Sequence, residues 1–390
     1  MRKLVAHSEF NIEDFKKSFL KQASAEGLGN KIKIINIQEH KRNANTVTYV
    51  LETTIGTFHV KIPNPENFTN RIYPEIALHG LLVAERMSRR EGQPHSPFCS
   101  FVQSGKDTWS VPKIPEESVV CQISWYAPGR SFLEVVHGKG GVNAAITSEK
   151  ERHLRTVITE LKKIHAMRYY PEAFNHSGKR KAHLISTYWE DIATAAFSPK
   201  KKAEILDEVS LVSSIYNTYL ETIIQKRVHQ LSFDKPHPIV TREIETELYQ
   251  NTLRIASVFS NRFDRLRRAH GDFWWMNASL TTQGWILIDH SKFPWADSAL
   301  DVAWWCEEYR WKYYQTGNNV WKDWYKLFIE IYQENEPDSE LQTAMCPGIS
   351  LKSLVKLNPK YSGKWNPDGA QKYLNNIRAI LQESQAHWTE

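Results

Sequence analysis

The spacing of apolar residues changes character near residue 128. Before it, short runs of β-branched and aromatic residues are punctuated by turn residues; beyond it, apolar positions recur every three or four residues. Asn11 caps a first helix expected over 11–24, with Ile12, Phe15 and Phe19 on one face. Three strands are expected at Lys31–Ile37, Thr46–Thr53 and Thr57–Ile62. Glu39–Asn45 separates the first two, Thr54-Ile55-Gly56 turns a hairpin between the last two, and Pro63 ends it. Pro74 then opens a helix over Glu75–Arg90. Phe98–Ser104, Thr108–Ile114 and Val119–Tyr126 are further strand candidates, and Pro128-Gly129 is a strong break. Next, Ser148 and Glu151 read as a capping box before a helix carried by Leu154, Val157, Ile158, Leu161 and Ile164. Helices are also expected near 201–228, 242–263, 298–315, 320–334 and 368–386. A hairpin, Ala278–Thr281 and Trp285–Ile288 around Gln283-Gly284, is expected between the second and third of these.

A chain of 390 residues, 41% hydrophobic with 14 Trp, can bury a large core, so a disordered chain or a disulfide scaffold is excluded. The net charge of +6 is spread evenly. Residues 1–120 hold 16 basic and 13 acidic residues, and the rest hold 34 and 31. With no basic domain, no nucleic-acid partner is expected; Lys179-Arg180-Lys181 and Lys200-Lys201-Lys202 read as solvated loops. Cys99, Cys121, Cys306 and Cys346 are scattered and form no C-x-x-C, which argues against a zinc site or disulfide framework and for a reducing, cytoplasmic compartment. No apolar run reaches the ~18 residues of a membrane helix, and the first ten residues lack the apolar core of a signal peptide, so no membrane partner is expected. A monomer or homodimer is expected.

The chemistry concentrates in His270-Gly271-Asp272-Phe273-Trp274-Trp275-Met276-Asn277, followed twelve residues later by Asp289 at the end of an apolar strand. The hairpin can bring Asn277 and Asp289 together at its open end. Two hard oxygen ligands suit Mg²⁺, which takes one or two carboxylates together with phosphate oxygens and water. Asp272 lies nearby to accept or orient a hydroxyl proton. Together these residues make a phosphoryl-transfer site.

H-G-D-x-x-x-x-N followed by Ile288-Asp289 resembles the catalytic loop and metal-binding Asp of the aminoglycoside phosphotransferase and choline kinase superfamily. By average residue usage the first pattern alone arises by chance on the order of once in a thousand chains of this length. The resemblance implies an α+β, two-lobed protein-kinase-like fold: a β-rich N-lobe (1–122), a hinge (123–128) and a mainly helical C-lobe (129–390). It implies Mg²⁺ and ATP, or GTP, bound between the lobes, and transfer of the γ-phosphate to a small-molecule hydroxyl. Asp272 would be catalytic, and Asn277 and Asp289 would hold the metal. Lys61, in Val60-Lys61-Ile62-Pro63, would bridge the nucleotide phosphates and Glu75. Gln122–Gly129 resembles the hinge, placing Ser124 and Tyr126 near the adenine. Asn45 or Asn43 would serve the glycine-free phosphate loop. Leu161-Lys162-Lys163-Ile164-His165-Ala166 resembles the segment packed under the catalytic loop, with His270 as structural support. Asp301, in Ala296–Ala303, would anchor a helix and brace that loop.

The resemblance runs from about 32 to 305. Within it this chain has Arg265, Arg267 and Arg268 where the family has an apolar strand, four large residues after Asp272, and Lys292 near the metal position. For the acceptor, Trp304, Glu307 and Glu308 are candidates on an aromatic-rich helix, able to hold a sugar ring or a quaternary amine. Residues 290–390 hold 13 acidic and 11 basic residues, only mildly acidic for a polycationic aminoglycoside. Two other readings compete. A protein kinase is disfavoured by Gly271, where such enzymes usually carry Arg. A nucleotide-binding pseudokinase or interaction module is disfavoured by the presence of Lys61, Asp272, Asn277 and Asp289.

Overall fold

The computed structural model describes residues 32–42, 46–54, 56–63, 122–125, 129–138, 141–166, 237–259, 265–282, 284–288, 295–358 and 366–384, with isolated positions between 13 and 20. The chain divides into two compact units, Met1–Pro128 with Pro171–Glu208, and Gly129–Tyr170 with Val209–Glu390.

The first unit is built on an antiparallel four-stranded sheet in the order β1 (Ile34–Arg42), β2 (Thr46–Thr53), β3 (Gly56–Pro63) and β4 (Gln122–Trp125). Val47, Val50, Leu51, Phe58 and Val60 are among its buried apolar residues. Thr53 pairs with Gly56 across the expected turn, and its hydroxyl donates to the Gly56 carbonyl at 2.7 Å. The first strand runs further than its apolar residues do. Lys41 pairs with Thr48 and Arg42 with Val47, so Glu39–Arg42 is strand where a loop was expected. Edge pairing carries β1 past the end of the apolar run, and the mostly exposed side chains explain why hydrophobicity misplaced it. Residues 123–125 of the expected hinge lie in β4, with Ser124 opposite His59. The helix expected over 11–24 is helical at Glu13, Lys16, Lys17 and Leu20. Those expected at 75–90 and 201–228, and the strands at 98–104 and 108–114, lie outside the described residues.

The second unit is mainly helical. It begins with β5 (Arg130–Ser131) and a π-helical turn, Leu133–His137, followed by α1 (Ser148–His165) and α2 (Arg242–Phe259). β6 (Leu266–Arg268), β7 (Ala278–Thr281), β8 (Gly284–Leu287) and β9 (Trp295–Asp297) come next. The chain then continues as α3 (Ala299–Thr316), α4 (Val320–Gln333), α5 (Leu341–Ala344), α6 (Cys346–Leu357) and α7 (Pro367–Glu383). The cap of α1 is Thr147, whose hydroxyl accepts the Lys150 amide at 3.3 Å, so the cap lies one residue before the expected Ser148. Its apolar stripe, Leu154, Val157, Ile158, Leu161 and Ile164, is buried as its period required. Each such side chain removed from water is worth roughly 1.5–3 kcal/mol.

β7 pairs with β8 as an antiparallel hairpin and β5 adds to β7. A side chain at Gly129 would collide with the Ser279 hydroxyl and the Leu280 carbonyl, so only glycine lets the chain enter β5 this close to β7. β6 pairs with β9 as a separate ribbon. Among the described residues, no helix is long and apolar enough to cross a membrane.

Candidate active site

The His270–Asn277 loop runs from β6 to β7, and its shape follows from one carboxylate. Asp301, in the first turn of α3, is buried, and its Oδ2 and Oδ1 accept the His270 and Gly271 amides at 2.6 and 2.7 Å. Oδ2 also meets His165 Nε2 at 2.9 Å, and His165 Nδ1 lies 2.9 Å from the Tyr332 hydroxyl. With Asp301 as acceptor, Nε2 carries the donated proton and Nδ1 receives the tyrosine O–H. The end of α1 is thereby tied beneath the loop. Helix capping falls to a different carboxylate, since Asp297 Oδ1 accepts the Ala299 amide at 2.9 Å. Gly271 has φ +74°, a left-handed conformation that costs glycine little, so its amide can turn onto Asp301.

His270 is fully buried and acts as a strut. Its Nε2 donates to the Ile288 carbonyl at 2.9 Å, and Nδ1 accepts the Asp272 amide at 3.4 Å. Burial holds its ring below the ordinary histidine range, against the pull of Asp301 and Asp272. A neutral ring is the form that can donate at one nitrogen and accept at the other.

Asn277 is buried at the end of the loop. Its Nδ2 donates to the Asp272 carbonyl at 2.8 Å and to Asp272 Oδ2 at 3.2 Å. This orients the amide and turns Oδ1, a hard oxygen, away from Asp272. The Ile288 amide donates to the Asn277 carbonyl at 2.9 Å, extending the hairpin ladder by one step beyond Ala278 and Leu287. The hairpin therefore brings together Asn277 and the residue immediately before Asp289. Among the described residues, no group of three His, Cys, Asp or Glu side chains converges as a metal site. Asp289, Glu75, Asn45 and Tyr126 lie outside the described residues, as does Lys292. Lys61 lies in β3 opposite Thr48 and Gln122, and Ser124 in β4, both in the first unit.

The large residues after Asp272 alternate in burial. Phe273 stacks on Trp305 at 4.5 Å between ring centroids, and Trp275 sits among His137, Tyr309 and Trp321 at 4.6, 5.0 and 5.9 Å. Both are buried, whereas Trp274 is half-buried and Met276 exposed. Two aromatic pegs thus fix the loop in the helical core. At its entrance, Arg265 replaces apolar packing with ion pairs, reaching Asp297 at 2.6 Å and Asp338 at 2.8 Å.

The acceptor candidates separate. Glu307 faces inward, where it accepts from Tyr373 and from Ser353 at 3.2 Å and pairs with Arg310 at 2.9 Å. It is fully buried and committed to the core, and so is withdrawn from any pocket. Trp304 and Glu308 stay near the loop but face a lysine pair on α6 that sequence reasoning missed. Lys356 Nζ lies 2.6 Å from Glu308 Oε2, and Lys352 Nζ lies 3.4 Å from Oε1. Lys352 also lies 4.7 Å from the Trp304 ring centroid and 5.0 Å from that of Trp274. Burial would raise the Glu308 carboxyl, but Lys356 and Lys352 hold it below its usual range. Burial lowers Lys352 against the opposing fields of Glu308 and Asp272. The Asp272 carboxylate is thus within electrostatic reach of this cage.

No family model matches the chain, and no curated protein matches it. Solved structures of small-molecule kinases are similar to it along most of its length. An ethanolamine kinase of Plasmodium vivax is 12% identical with a TM-score of 0.48, over 97% of this chain and 92% of its own. A spectinomycin phosphotransferase, solved with ADP and spectinomycin, is 13% identical with a TM-score of 0.43, over 94% and 98%. A choline kinase of Cryptosporidium parvum is 11% identical with a TM-score of 0.41, over 91% and 89%.

Proposed function

We propose that this chain is a phosphotransferase that moves the γ-phosphate of ATP, or of GTP, to a hydroxyl group of a small molecule. The observation that carries the reading is the Asp272–Asn277 pair, one amide bonded to one carboxylate inside a loop whose turn is held by Asp301. Asp272 is half-buried, so its carboxylate can meet an incoming hydroxyl and accept its proton. Asn277 offers Oδ1, and with Asp289 it would hold Mg²⁺, a fit supported by the hard-oxygen chemistry of both side chains. Bound there, the ion would neutralise charge on the transferring phosphate. Lys61 and Glu75 take the phosphate-anchoring role in this reading, on the strength of the sequence resemblance.

Phosphoryl transfer needs mainly placement and charge stabilisation, and misplacement by ~1 Å can cost about 10²-fold in rate. The bracing by Asp301, His270, Phe273 and Trp275 supplies that rigidity. The test compares wild type with Asp272→Asn, following phosphate transfer from labelled ATP to a panel of hydroxyl compounds and to water. The substitution keeps shape and removes the base, so transfer should fall by about 10²–10⁴-fold with the melting temperature nearly unchanged. Equal rates for the two proteins would refute the assignment.

A further inference from the structure

Lys352 is 6% exposed, and its ammonium lies against two indole faces with one carboxylate oxygen at 3.4 Å. An ammonium has three N–H donors, and an aromatic face attracts the charge without accepting a full hydrogen bond. Among the described residues its ammonium meets one carboxylate and two ring faces, fewer acceptors than its three N–H groups can engage. Glu308 is shared between Lys352 and Lys356, and the charge of Lys312, half-buried on α3, also feels Glu308 and Lys356. The carboxylate next to Glu308 in sequence on α3, Glu307, is committed to Tyr373, Ser353 and Arg310. Trp274, which forms one wall of the cage, is two residues from Asp272.

From this juxtaposition we infer that the phosphate acceptor is a hydroxyl compound bearing an anionic group, a carboxylate or a phosphate, received by Lys352 and Lys356 beside the Asp272 loop. The inference rests on the phosphotransfer reading and deepens it. The place between two indole rings, where an amino alcohol or polyamine would put its charge, is already filled by the chain's own ammonium. A cationic acceptor would have to displace a tethered lysine and then find a carboxylate already shared by two cations. An anion meets the opposite situation, two lysines sharing one glutamate, with Asp272 as the further carboxylate acting on Lys352.

The experiment uses the full chain with Mg²⁺ and AMP-PNP. Melting temperature is followed while glycerate, glycerol 3-phosphate, glycerol or choline is titrated in. One or both anions should give a saturable rise, and which of them does so tells carboxylate from phosphate; glycerol and choline should give none. Lys352→Met keeps an unbranched side chain of similar length and removes the charge. It should weaken the apparent affinity for the anion at least tenfold while still melting cooperatively. Lys356→Met, at the more open lysine, guards against a folding defect in the first variant and should weaken the same anion.

A rise with choline alone, no rise with either anion, or an anion response unchanged in both variants would overturn the inference. So would a Lys352→Met protein that no longer tells AMP-PNP from ADP, since the lysine would then serve the transferred phosphate. The nucleotide arm separates the two readings. A shift with AMP-PNP and Mg²⁺ but none with anions leaves phosphotransfer standing and removes the anionic acceptor. An anion response through Lys352 without any nucleotide response removes phosphotransfer and leaves an anion site.

Discussion

Asp301 organises the loop before Asp272 through two backbone amides and one imidazole, all within 2.9 Å of its two oxygens. Replacing it with Ala would leave the His270 and Gly271 amides without their charged acceptor. A buried donor stripped of its partner costs ~1–3 kcal/mol, so Asp301→Ala should lose about 3 kcal/mol in denaturant unfolding and most of the transfer activity. Asp301→Asn, which keeps one acceptor oxygen, should lose less of both. Asp272 and Asn277 were legible because their spacing is short and their chemistry unusual for a loop. Glu307 and Glu308 were not separable. They are adjacent on a helix with aromatics on most sides, and a turn of about 100° sends one to Arg310 and the other to the lysines. Lys352 left no signal, since its Trp274 wall lies far away in sequence and a lysine in a helix reads as solvated.

At the scale of elements, the π-helical turn Leu133–His137 has a pH consequence. His137 is buried among Phe132, Trp275, Tyr309, Trp321 and Trp324, and among the described residues neither ring nitrogen meets a hydrogen-bond partner at full bonding geometry. Burial, helped by the charges of Lys150 and Lys312 and only partly offset by the Asn143 backbone, pushes it down to about 3. The unfolded chain, titrating near 6.5, binds the proton first. The stabilising contribution is therefore complete above pH ~6.5 and declines as pH falls toward 3. Unfolding stability should drop by about 2 kcal/mol between pH 7 and 5, and His137→Phe should flatten that part of the profile.

Elements with one apolar stripe or clean alternation, such as α1, β2 and the β7–β8 hairpin, could be placed from sequence. Helix α6 was not among the expected helices, and Pro347 and Gly348 near its start have low helix propensity. In fact Pro347 fits the first turn, and Gly348 lets the helix approach α3, where a side chain would press on Ala303. β6 was missed because Arg265, Arg267 and Arg268 hide a strand anchored by ion pairs to Asp297 and Asp338.

Across the chain as a whole, the change in hydrophobic period near residue 128 falls at one boundary between the two units, whereas the return of Pro171–Glu208 to the first unit left no such mark in the sequence. What the period could not supply is the bracing between distant segments. His165 to Asp301 and Arg265 to Asp338 join residues 136 and 73 positions apart. Their partners are ordinary polar residues whose pairing only the folded chain reveals. On the phosphotransfer reading, the Asp272–Asn277 loop belongs to a metal-dependent nucleotide site. The most direct measurement is a thermal-shift titration with ATP and GTP, with and without Mg²⁺. A nucleotide at ~100 times its dissociation constant adds about 2.7 kcal/mol of stability, so a Mg²⁺-dependent rise in melting temperature is expected with at least one of the two. No rise with either nucleotide at millimolar concentration would contradict a nucleotide site at this loop.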